Sequence, residues 1–215
     1  MAVLLTGKEV SNAVKERVAE SVKTLAQSGI TPTLAILRVG ERPDDLSYER
    51  SAIKVAATLG IEVRSIVLPA DATQEQIEVA IDGINDDASI HGCLMFRPLP
   101  KGIDETALCN RLDARKDMDG IGLSSLAGIF AGTGQGYAPC TAQACIEICD
   151  YHNVPVQGKR VVVIGRSLVI GKPVSMLFLQ RNATVTICHS RSENLAEITR
   201  EAGVVVCATG RAKAY

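Results

Sequence analysis

Apolar positions along the chain change between helical spacing and short continuous runs. Residues 8–28 repeat apolar positions with the period of a helix face and stop at Gly29, a residue type that commonly follows helix ends. The runs 33–39 and 91–96 have the length of buried strands, and residues 61–68 alternate as a half-buried strand does. The first part of the chain therefore combines strands with helices.

Helices are also predicted between and after these strands. Residues 43–59 form the next candidate helix, with a proline at its boundary, an aspartate as the expected N-cap and Gly60 at its end. Thr73 opens a helix to about Asn85 with the sequence Thr-Gln-Glu-Gln, which is typical of a capping box, and residues 104–112 suit a short helix. The order β-α-β-α-β predicts a parallel sheet covered by helices.

A second α/β pattern begins near Gly158. Residues 160–191 combine a buried strand, a tight glycine-containing turn, a helix and a second buried strand. A further helix at about 193–201 and a strand at 203–207 follow, and the chain ends at Tyr215. This order is the first half of a dinucleotide-binding unit, so the sequence predicts that only the adenosine half is present.

These patterns predict an α/β protein of two domains with parallel sheets. The predicted domains are residues 1–140 and 141–215, and the second is expected to be Rossmann-like. A glycine-rich stretch at 128–136, for which no element is predicted, precedes a helix that starts at Thr141. The boundary between the two predicted domains is expected on that helix, before the second α/β pattern begins near Gly158.

The turn after the first strand of the second domain carries candidate cofactor chemistry. Gly165, Arg166 and Ser167 should bring backbone N–H groups and a helix N-terminus up to a pyrophosphate. The next strand is followed by Ser190 and Arg191, where an NAD site usually places an acidic side chain for the ribose hydroxyl. A hydroxyl and a guanidinium suit a 2′-phosphate instead, so NADP is favoured over NAD.

Composition and charge narrow the class of protein. The chain has 215 residues, 47% apolar and 22% charged, and its net charge of −1 gives no electrostatic case for nucleic acid or an anionic membrane. No apolar run approaches the roughly 20 residues that span a bilayer, and the N-terminus lacks a secretory pattern, so a cytoplasmic location is expected. The seven cysteines lie scattered in apolar runs without metal-binding spacing, which predicts reduced thiols and no metal.

Several motifs in order and at matching spacing carry a resemblance to a known family. They are TPTLAILRVGERPDDLSY (31–48), HGCLMFRPLP (91–100), RKDMDGIG (115–122), PCT (139–141), VVVIGRSLVIGKP (161–173), ATVTICHSR (183–191) and ATG (208–210). The chain resembles the methylenetetrahydrofolate dehydrogenase/methenyltetrahydrofolate cyclohydrolase family of one-carbon metabolism. The resemblance implies a folate-binding catalytic first domain, an NADP-binding second domain and a homodimer. The implied reaction is hydride transfer from 5,10-methylenetetrahydrofolate to NADP, and bifunctional members then hydrolyse the methenyl product to 10-formyltetrahydrofolate.

The resemblance also implies roles for particular residues. Tyr48 and Asp119 are implied as catalytic and folate-binding residues, with the Asp119 carboxylate accepting hydrogen bonds from the pterin ring. Leu99 is implied as a further folate contact. The implied cofactor-binding residues are Gly165, Arg166, Ser167, Gly171, Pro173, Ser190 and Arg191.

Two positions depart from the family pattern. The family carries a Lys four residues after the cleft Tyr and a Gln before its Pro-rich loop, and these positions are Ala52 and Phe96 here. On a helix that turns about 100° per residue, Arg50 and Lys54 point away from the face of Tyr48. Hydrolysis of a cationic methenyl bridge needs polar groups within hydrogen-bond reach, so the cyclohydrolase step is expected to be weak or missing.

Two alternatives stay open. In the first, Arg50, Lys54 or a water network replaces the missing Lys, and the protein is fully bifunctional. In the second, the chain is a non-catalytic folate-binding or nucleotide-binding remnant, because it ends at Tyr215 before the family's Gly-Pro-rich loop and closing helix.

Overall fold

The computed structural model describes residues 3–210, in which strands alternate with helices except for three consecutive helices in the middle. The first part contains α1 (Lys8–Gln27), β1 (Thr33–Val39), α2 (Pro43–Leu59), β2 (Glu62–Leu68), α3 (Gln74–Asp86), β3 (Gly92–Met95), α4 (Glu105–Arg111) and α5 (Leu123–Ala131). The second part contains α6 (Cys140–Tyr151), β4 (Arg160–Ile164), α7 (Gly171–Gln180), β5 (Thr184–Cys188), α8 (Leu195–Arg200) and β6 (Val204–Cys207). The predicted alternation of elements is confirmed.

Both sheets have three parallel strands in the same order. The first sheet runs β2-β1-β3 and the second runs β5-β4-β6, so the first strand of each unit lies in the middle. In the first sheet, Leu34 of the central strand pairs with Val63 on one side and Gly92 on the other. An order that reverses in this way opens a crevice at the carboxyl ends of the first and third strands, where α/β proteins bind ligands.

Each sheet has its own hydrophobic core. The core of the first sheet joins its strands to α3 and α4 through buried side chains that include Ala35, Leu37, Ile77, Ile81, Ile84, Met95 and Leu108. The second sheet packs α6 and α7 on one face, with Ile146, Val161, Val163, Val174 and Phe178 buried between them. On its other face, Val162 and Ile164 pack against α8. The cores leave the carboxyl ends of the strands free to carry loops.

The aspartate cap expected for α2 is wrong. The N-cap is Arg42, which makes no side-chain capping bond, and Pro43 occupies the first helical turn. Proline suits that position because its fixed φ is helical and its missing N–H would have had no helical partner. Asp45 lies in the first turn instead, where its carboxylate favours the positive helix end and accepts from the Arg42 guanidinium at 2.8 Å.

The glycine-rich stretch at 128–136 contains an unpredicted helical part, because α5 extends to Ala131. Gly128 lies inside this helix, and a Cβ there would be 2.0 Å from the carbonyl oxygen of Gln135. The glycine therefore serves close packing of the returning chain, which sequence alone presents as a loop signal. None of the helices within residues 3–210 is long and apolar enough to cross a membrane.

Candidate functional site

An aromatic pair lies at the carboxyl end of the first sheet. Tyr48 on α2 and Phe96, directly after β3, have ring centroids 5.4 Å apart and planes inclined by 52°. Phe96 is buried, and its backbone N–H donates to the carbonyl of Leu37 at 2.8 Å. Tyr48 is 59% exposed. A fixed ring thus backs a second ring that is open to solvent, an arrangement that suits a flat aromatic ligand.

Asp119, in the loop before α5, and Cys140, on α6, lie within electrostatic range of Tyr48. Burial raises the pKa of Tyr48, and the neighbouring Asp119 and Cys140 raise it further. Burial and the Asp119 carboxylate raise the pKa of the Cys140 thiol to about 11. The Cys140 thiol also donates to the carbonyl of Met118 at 3.3 Å. Tyr48 and Asp119 are therefore electrostatic neighbours, and their roles stay predictions.

A buried carboxylate shapes the loop that carries Asp119. Asp117 is only 1% exposed and accepts from the backbone N–H groups of Ile121 at 3.0 Å and Gly122 at 2.9 Å. It also accepts from the Ser125 hydroxyl at 2.7 Å. These bonds satisfy Asp117 internally, so Asp119 is the loop carboxylate that is available to a ligand.

The preceding residue anchors the same loop to the first sheet. The Lys116 ammonium donates to the carbonyls of Ile84, Asn85 and Asp87 at 2.6, 2.9 and 2.8 Å, at the end of α3. The Lys116 carbonyl accepts from the N–H of Cys93 in β3 at 2.6 Å. A cation placed at a helix C-terminus is favourable, so this bond set holds the start of the loop.

The surroundings of Tyr48 are apolar where the family pattern has a Lys and a Gln. Ala52 is half-buried one turn after Tyr48, and the other position is the Phe96 ring. Arg50 and Lys54 are both exposed, and neither forms a hydrogen bond or ion pair within residues 3–210. That Arg50 and Lys54 point away from the face of Tyr48 stays a prediction, because Tyr48 is exposed as well.

The turn after β4 lies at the crevice of the second sheet. Gly165 has φ 132°, and a Cβ there would lie 2.3 Å from the carbonyl oxygen of Ala208, which follows β6. A Cβ on Gly171 would lie 2.2 Å from the Gly165 carbonyl oxygen. Only glycine fits this close approach of three backbone segments, which is what a cradle for a phosphate requires.

Helix α7 starts at the end of this turn. Its N-cap, Ile170, provides no side-chain bond to the first helical N–H groups. Ser167 instead supports the turn, because its hydroxyl accepts from the Ile170 N–H at 3.1 Å and its carbonyl accepts from the Lys172 N–H at 3.0 Å. Arg166 and Ser167 are exposed, whereas Pro173 is buried in the first turn of α7. The helix end can therefore receive an anion.

The loop after β5 holds the other predicted cofactor residues. Ser190 and Arg191 are exposed. His189 serves the loop, since its Nδ1 accepts from the Arg191 N–H at 3.2 Å and its own N–H donates to the Ser192 hydroxyl at 2.9 Å. Because β4 and β5 are parallel neighbours, this loop and the glycine turn meet at one edge of the sheet.

One cavity extends from Asp119 to the turn that precedes α7. It is lined by Arg97, Glu105, Thr106, Cys109, Asn110, Asp119, Gly120, Ile121, Leu123, Leu126, Pro139, Leu168 and Val169. Asp119 and the middle of the glycine turn, Leu168 and Val169, thus face the same space. Leu99 lines a different groove, beside Gly40 and Lys101, and its N–H donates to Glu105 at 2.9 Å.

Sequence reasoning missed several residues of this region. Asp117 has one sequence signal, its position in the motif with Asp119. Cys140 lies in the PCT motif, where its sequence context predicts only a reduced thiol. Leu168 and Val169 belong to the glycine-turn motif, but their apolar character gave no chemical signal.

The fold and the two sites define a two-domain α/β protein with a dinucleotide-binding second domain. A sequence profile of the tetrahydrofolate dehydrogenase/cyclohydrolase catalytic domain matches residues 5–119. The profile of the corresponding NAD(P)-binding domain matches residues 139–214. The chain belongs to the tetrahydrofolate dehydrogenase/cyclohydrolase family.

Relatives and solved structures agree with this assignment. The bifunctional protein FolD of Carboxydothermus hydrogenoformans is 48% identical over 213 residues, which are 99% of this chain and 74% of that protein. The structure of bifunctional FolD from Campylobacter jejuni is 31% identical, with a TM-score of 0.92 over 97% of this chain and 74% of its own. The structure of Trypanosoma brucei FolD, complexed with NADP cofactor and inhibitor, is 33% identical in sequence and has a TM-score of 0.87. The match covers 98% of this chain and 72% of that one.

These comparisons confirm three predictions from the sequence: the family, the α/β fold with parallel sheets and the NAD(P)-binding second domain. The domain boundary near residue 140 and the individual site residues stay predictions.

Proposed function

We propose that this protein oxidises 5,10-methylenetetrahydrofolate to the 5,10-methenyl form with NADP, and that its cyclohydrolase step is weak or missing. The proposal depends on one observation. Tyr48 packs against Phe96 and lies within electrostatic range of Asp119, while Ala52 and Phe96 occupy the positions of the family's polar pair. The names of the bifunctional relatives and the NADP complex of the Trypanosoma brucei protein support the activity and the cofactor.

The first crevice offers groups suited to a folate. The Asp119 carboxylate can accept from the amino group and ring N–H of the pterin, because the backbone N–H groups of Ile121 and Gly122 in this loop bond to Asp117 instead. Tyr48, backed by Phe96, offers an aromatic face to the next ring of the folate. Leu99 would contact the ligand from the Pro-rich loop only if the ligand reaches its separate groove.

The second crevice fits a dinucleotide. Gly165 and Gly171 leave the space that a pyrophosphate needs, and the open N-terminus of α7 favours its negative charge. Arg166, Ser190 and Arg191 provide exposed polar groups around a 2′-phosphate. NADP supplies the hydride acceptor when it is bound, and the protein chiefly holds the two rings in place.

The hydrolytic step lacks its protein groups. Water and protons must be directed around the cationic methenyl bridge by polar side chains within hydrogen-bond reach. A methyl group at Ala52 and a phenyl ring at Phe96 cannot donate or accept. Full bifunctionality would require Arg50 or Lys54 to turn inward from exposed positions, or a water network to replace the missing Lys.

A paired assay tests the proposal. NADPH formation from 5,10-methylenetetrahydrofolate is measured with NADP, and the decay of added methenyltetrahydrofolate is followed separately with and without protein. We expect NADPH formation without accelerated decay. Absence of NADPH formation would contradict the dehydrogenase proposal and favour a binding remnant. Accelerated decay would favour the bifunctional alternative, and Arg50→Ala and Lys54→Ala variants would then show which cation replaces the Lys.

We also propose that the protein is a cytoplasmic homodimer that binds small molecules rather than nucleic acid or membranes. The net charge of −1 supports the absence of an electrostatic partner, and exposed Phe130 and Leu179 support an association surface. Light scattering coupled to size-exclusion chromatography measures the mass in solution. A monomer at micromolar concentration would contradict the dimer.

A further inference from the structure

The helix that carries Tyr48 is held by charge more than by apolar packing. The buried residues of α2 are Asp45, Glu49 and Ala56, so its largest buried side chains are carboxylates. Ile53 and Val55 on the same helix are each 40% exposed. Apolar contacts are non-directional and leave some freedom in how a helix lies on a sheet, whereas hydrogen bonds fix direction.

A single carboxylate connects α2 to two strands. The Arg38 guanidinium on β1 donates through Nε to Oε2 of Glu49 at 2.6 Å. The Ser65 hydroxyl on β2 donates to the other oxygen, Oε1. The side chains of Arg38 and Glu49 are only 10% and 8% exposed. Arg38 also donates to the Gly40 carbonyl, at the entrance to α2.

The same part of β1 holds the other ring of the aromatic pair. The Leu37 carbonyl accepts from the Phe96 N–H at 2.8 Å, and Arg38 follows it in the strand. Tyr48 directly precedes Glu49 on α2. Adjacent residues of β1 therefore set the positions of both Phe96 and the helical turn with Tyr48. A carboxylate bound through both oxygens resists both rotation and sliding of the helix.

We infer that Arg38, Glu49 and Ser65 are positioning residues for the folate site. They hold Tyr48 against Phe96 and near Asp119 without touching the ligand themselves. This inference rests on the proposed function, because it concerns the same crevice. Its effect comes through geometry, since a misplacement of about 1 Å can cost roughly a hundredfold in rate.

The decisive variant separates position from stability. Removing one partner would leave an unpaired buried charge and destabilise the fold, whereas replacing both partners by apolar residues is often neutral or stabilising. We therefore compare the full chain with the double variant Arg38→Met/Glu49→Leu. We expect a Tm close to that of the wild type, because removal of both buried charges offsets the loss of the Arg38 bond to the Gly40 carbonyl. We also expect an unchanged KM for NADP and a fall in kcat/KM for methylenetetrahydrofolate of about tenfold to a hundredfold.

Two milder variants and a matched control extend the test. Glu49→Gln keeps an oxygen for Arg38 and should recover most of the kcat/KM lost in the double variant. Ser65→Ala removes one bond and should lower kcat/KM by a smaller factor at nearly constant Tm. The control is Arg111→Gln/Asp82→Asn, because this ion pair of 2.6 Å joins α4 to α3 on the surface. It should leave kcat/KM unchanged.

A spectroscopic readout makes the inference independent of catalysis. The chain has four tyrosines, so a ¹³C-tyrosine NMR spectrum is simple, and Tyr48→Phe identifies the Tyr48 ring signal. In the double variant we expect that signal to shift or broaden while the other tyrosine signals stay in place. An unchanged Tyr48 signal, or wild-type kcat/KM in the folded double variant, would overturn the inference. Lack of NADPH formation by the wild type would instead contradict the proposed function alone.

Discussion

The two crevices of this molecule have the same strand order but are built from different parts of the chain. The first sheet presents side chains, with Tyr48, Phe96 and Asp119 coming from separate elements. The second sheet presents backbone, because Gly165 and Gly171 bring main-chain atoms together. In a site made of side chains, two substitutions such as those at Ala52 and Phe96 can remove one activity while the backbone keeps its shape. In a site made of backbone, a substitution that displaces the main chain removes both the shape of the site and its function.

The largest expected effect comes from breaking the backbone site. Gly165→Ala places a Cβ against the Ala208 carbonyl in a conformation that L residues rarely adopt, at a cost of at least about 1–3 kcal/mol. We expect NADP binding to become undetectable by calorimetric titration and the Tm to fall. Gly203→Ala is the matched control, since its nearest neighbour would be 3.6 Å away. Wild-type NADP affinity in Gly165→Ala would contradict the proposal that this turn binds the phosphates of the cofactor.

The next largest effect is a gain of hydrolytic activity at the first crevice, whose ligand groups are side chains. The variant Ala52→Lys/Phe96→Gln restores polar groups beside Tyr48, and general acid–base groups contribute about 10²–10⁴-fold. We expect methenyltetrahydrofolate decay to accelerate by about tenfold or more, a part of that range. Each single variant serves as a control and should gain less. No gain in the folded double variant would mean that another feature limits hydrolysis.

A smaller effect concerns cofactor choice. Arg191→Ala removes a charge-assisted bond to a 2′-phosphate, which corresponds to about tenfold in affinity. We expect the Kd for NADP to rise by this factor while the Kd for NAD stays constant. Arg200→Ala, an exposed arginine at the end of α8, should change neither. An equal rise in the Kd values for NADP and NAD would contradict the proposed contact between Arg191 and the 2′-phosphate.

The smallest effect is on a thiol of the first crevice. The pKa of Cys140 is raised to about 11 by burial and by Asp119, so little thiolate exists at pH 8. Alkylation of Cys140 by iodoacetamide should be slow at pH 8 and rise steadily toward pH 10. Asp119→Asn removes the negative charge, lowers the thiol pKa and should accelerate the reaction a few-fold at pH 8. Peptide mass spectrometry measures the rate, and no acceleration would argue against this contact.

Local signals made much of the fold predictable. The capping box at Thr73 is present, with Gln76 and Thr73 each bonding the backbone of the other. The strand predicted at 33–39 matches β1, because its apolar run is bounded by residues that cannot continue it. The glycine turn of the second domain was also predictable, since backbone sites depend on a few consecutive residues.

The side-chain site was less accessible to sequence reasoning. Arg38 and Glu49 lie in different elements, so no spacing rule joins them, and each would ordinarily be placed on the surface. Asp117 is buried because three donors converge on it, which only the folded loop reveals. Helix α5 was obscured because Gly128 is a packing residue in a helix, where a glycine usually indicates a loop.

The close contact at Gly120 connects the two crevices mechanically. Gly120 follows Asp119, and a Cβ there would lie 2.4 Å from the Tyr137 carbonyl and 2.7 Å from the Pro139 nitrogen. Pro139 is the N-cap of α6, which packs on the second sheet. The backbone that holds Asp119 is therefore packed directly against the N-terminus of α6. We expect the two ligands to bind with coupled affinities through this contact, and linkage then requires each to change the affinity of the other by the same factor, whichever binds first.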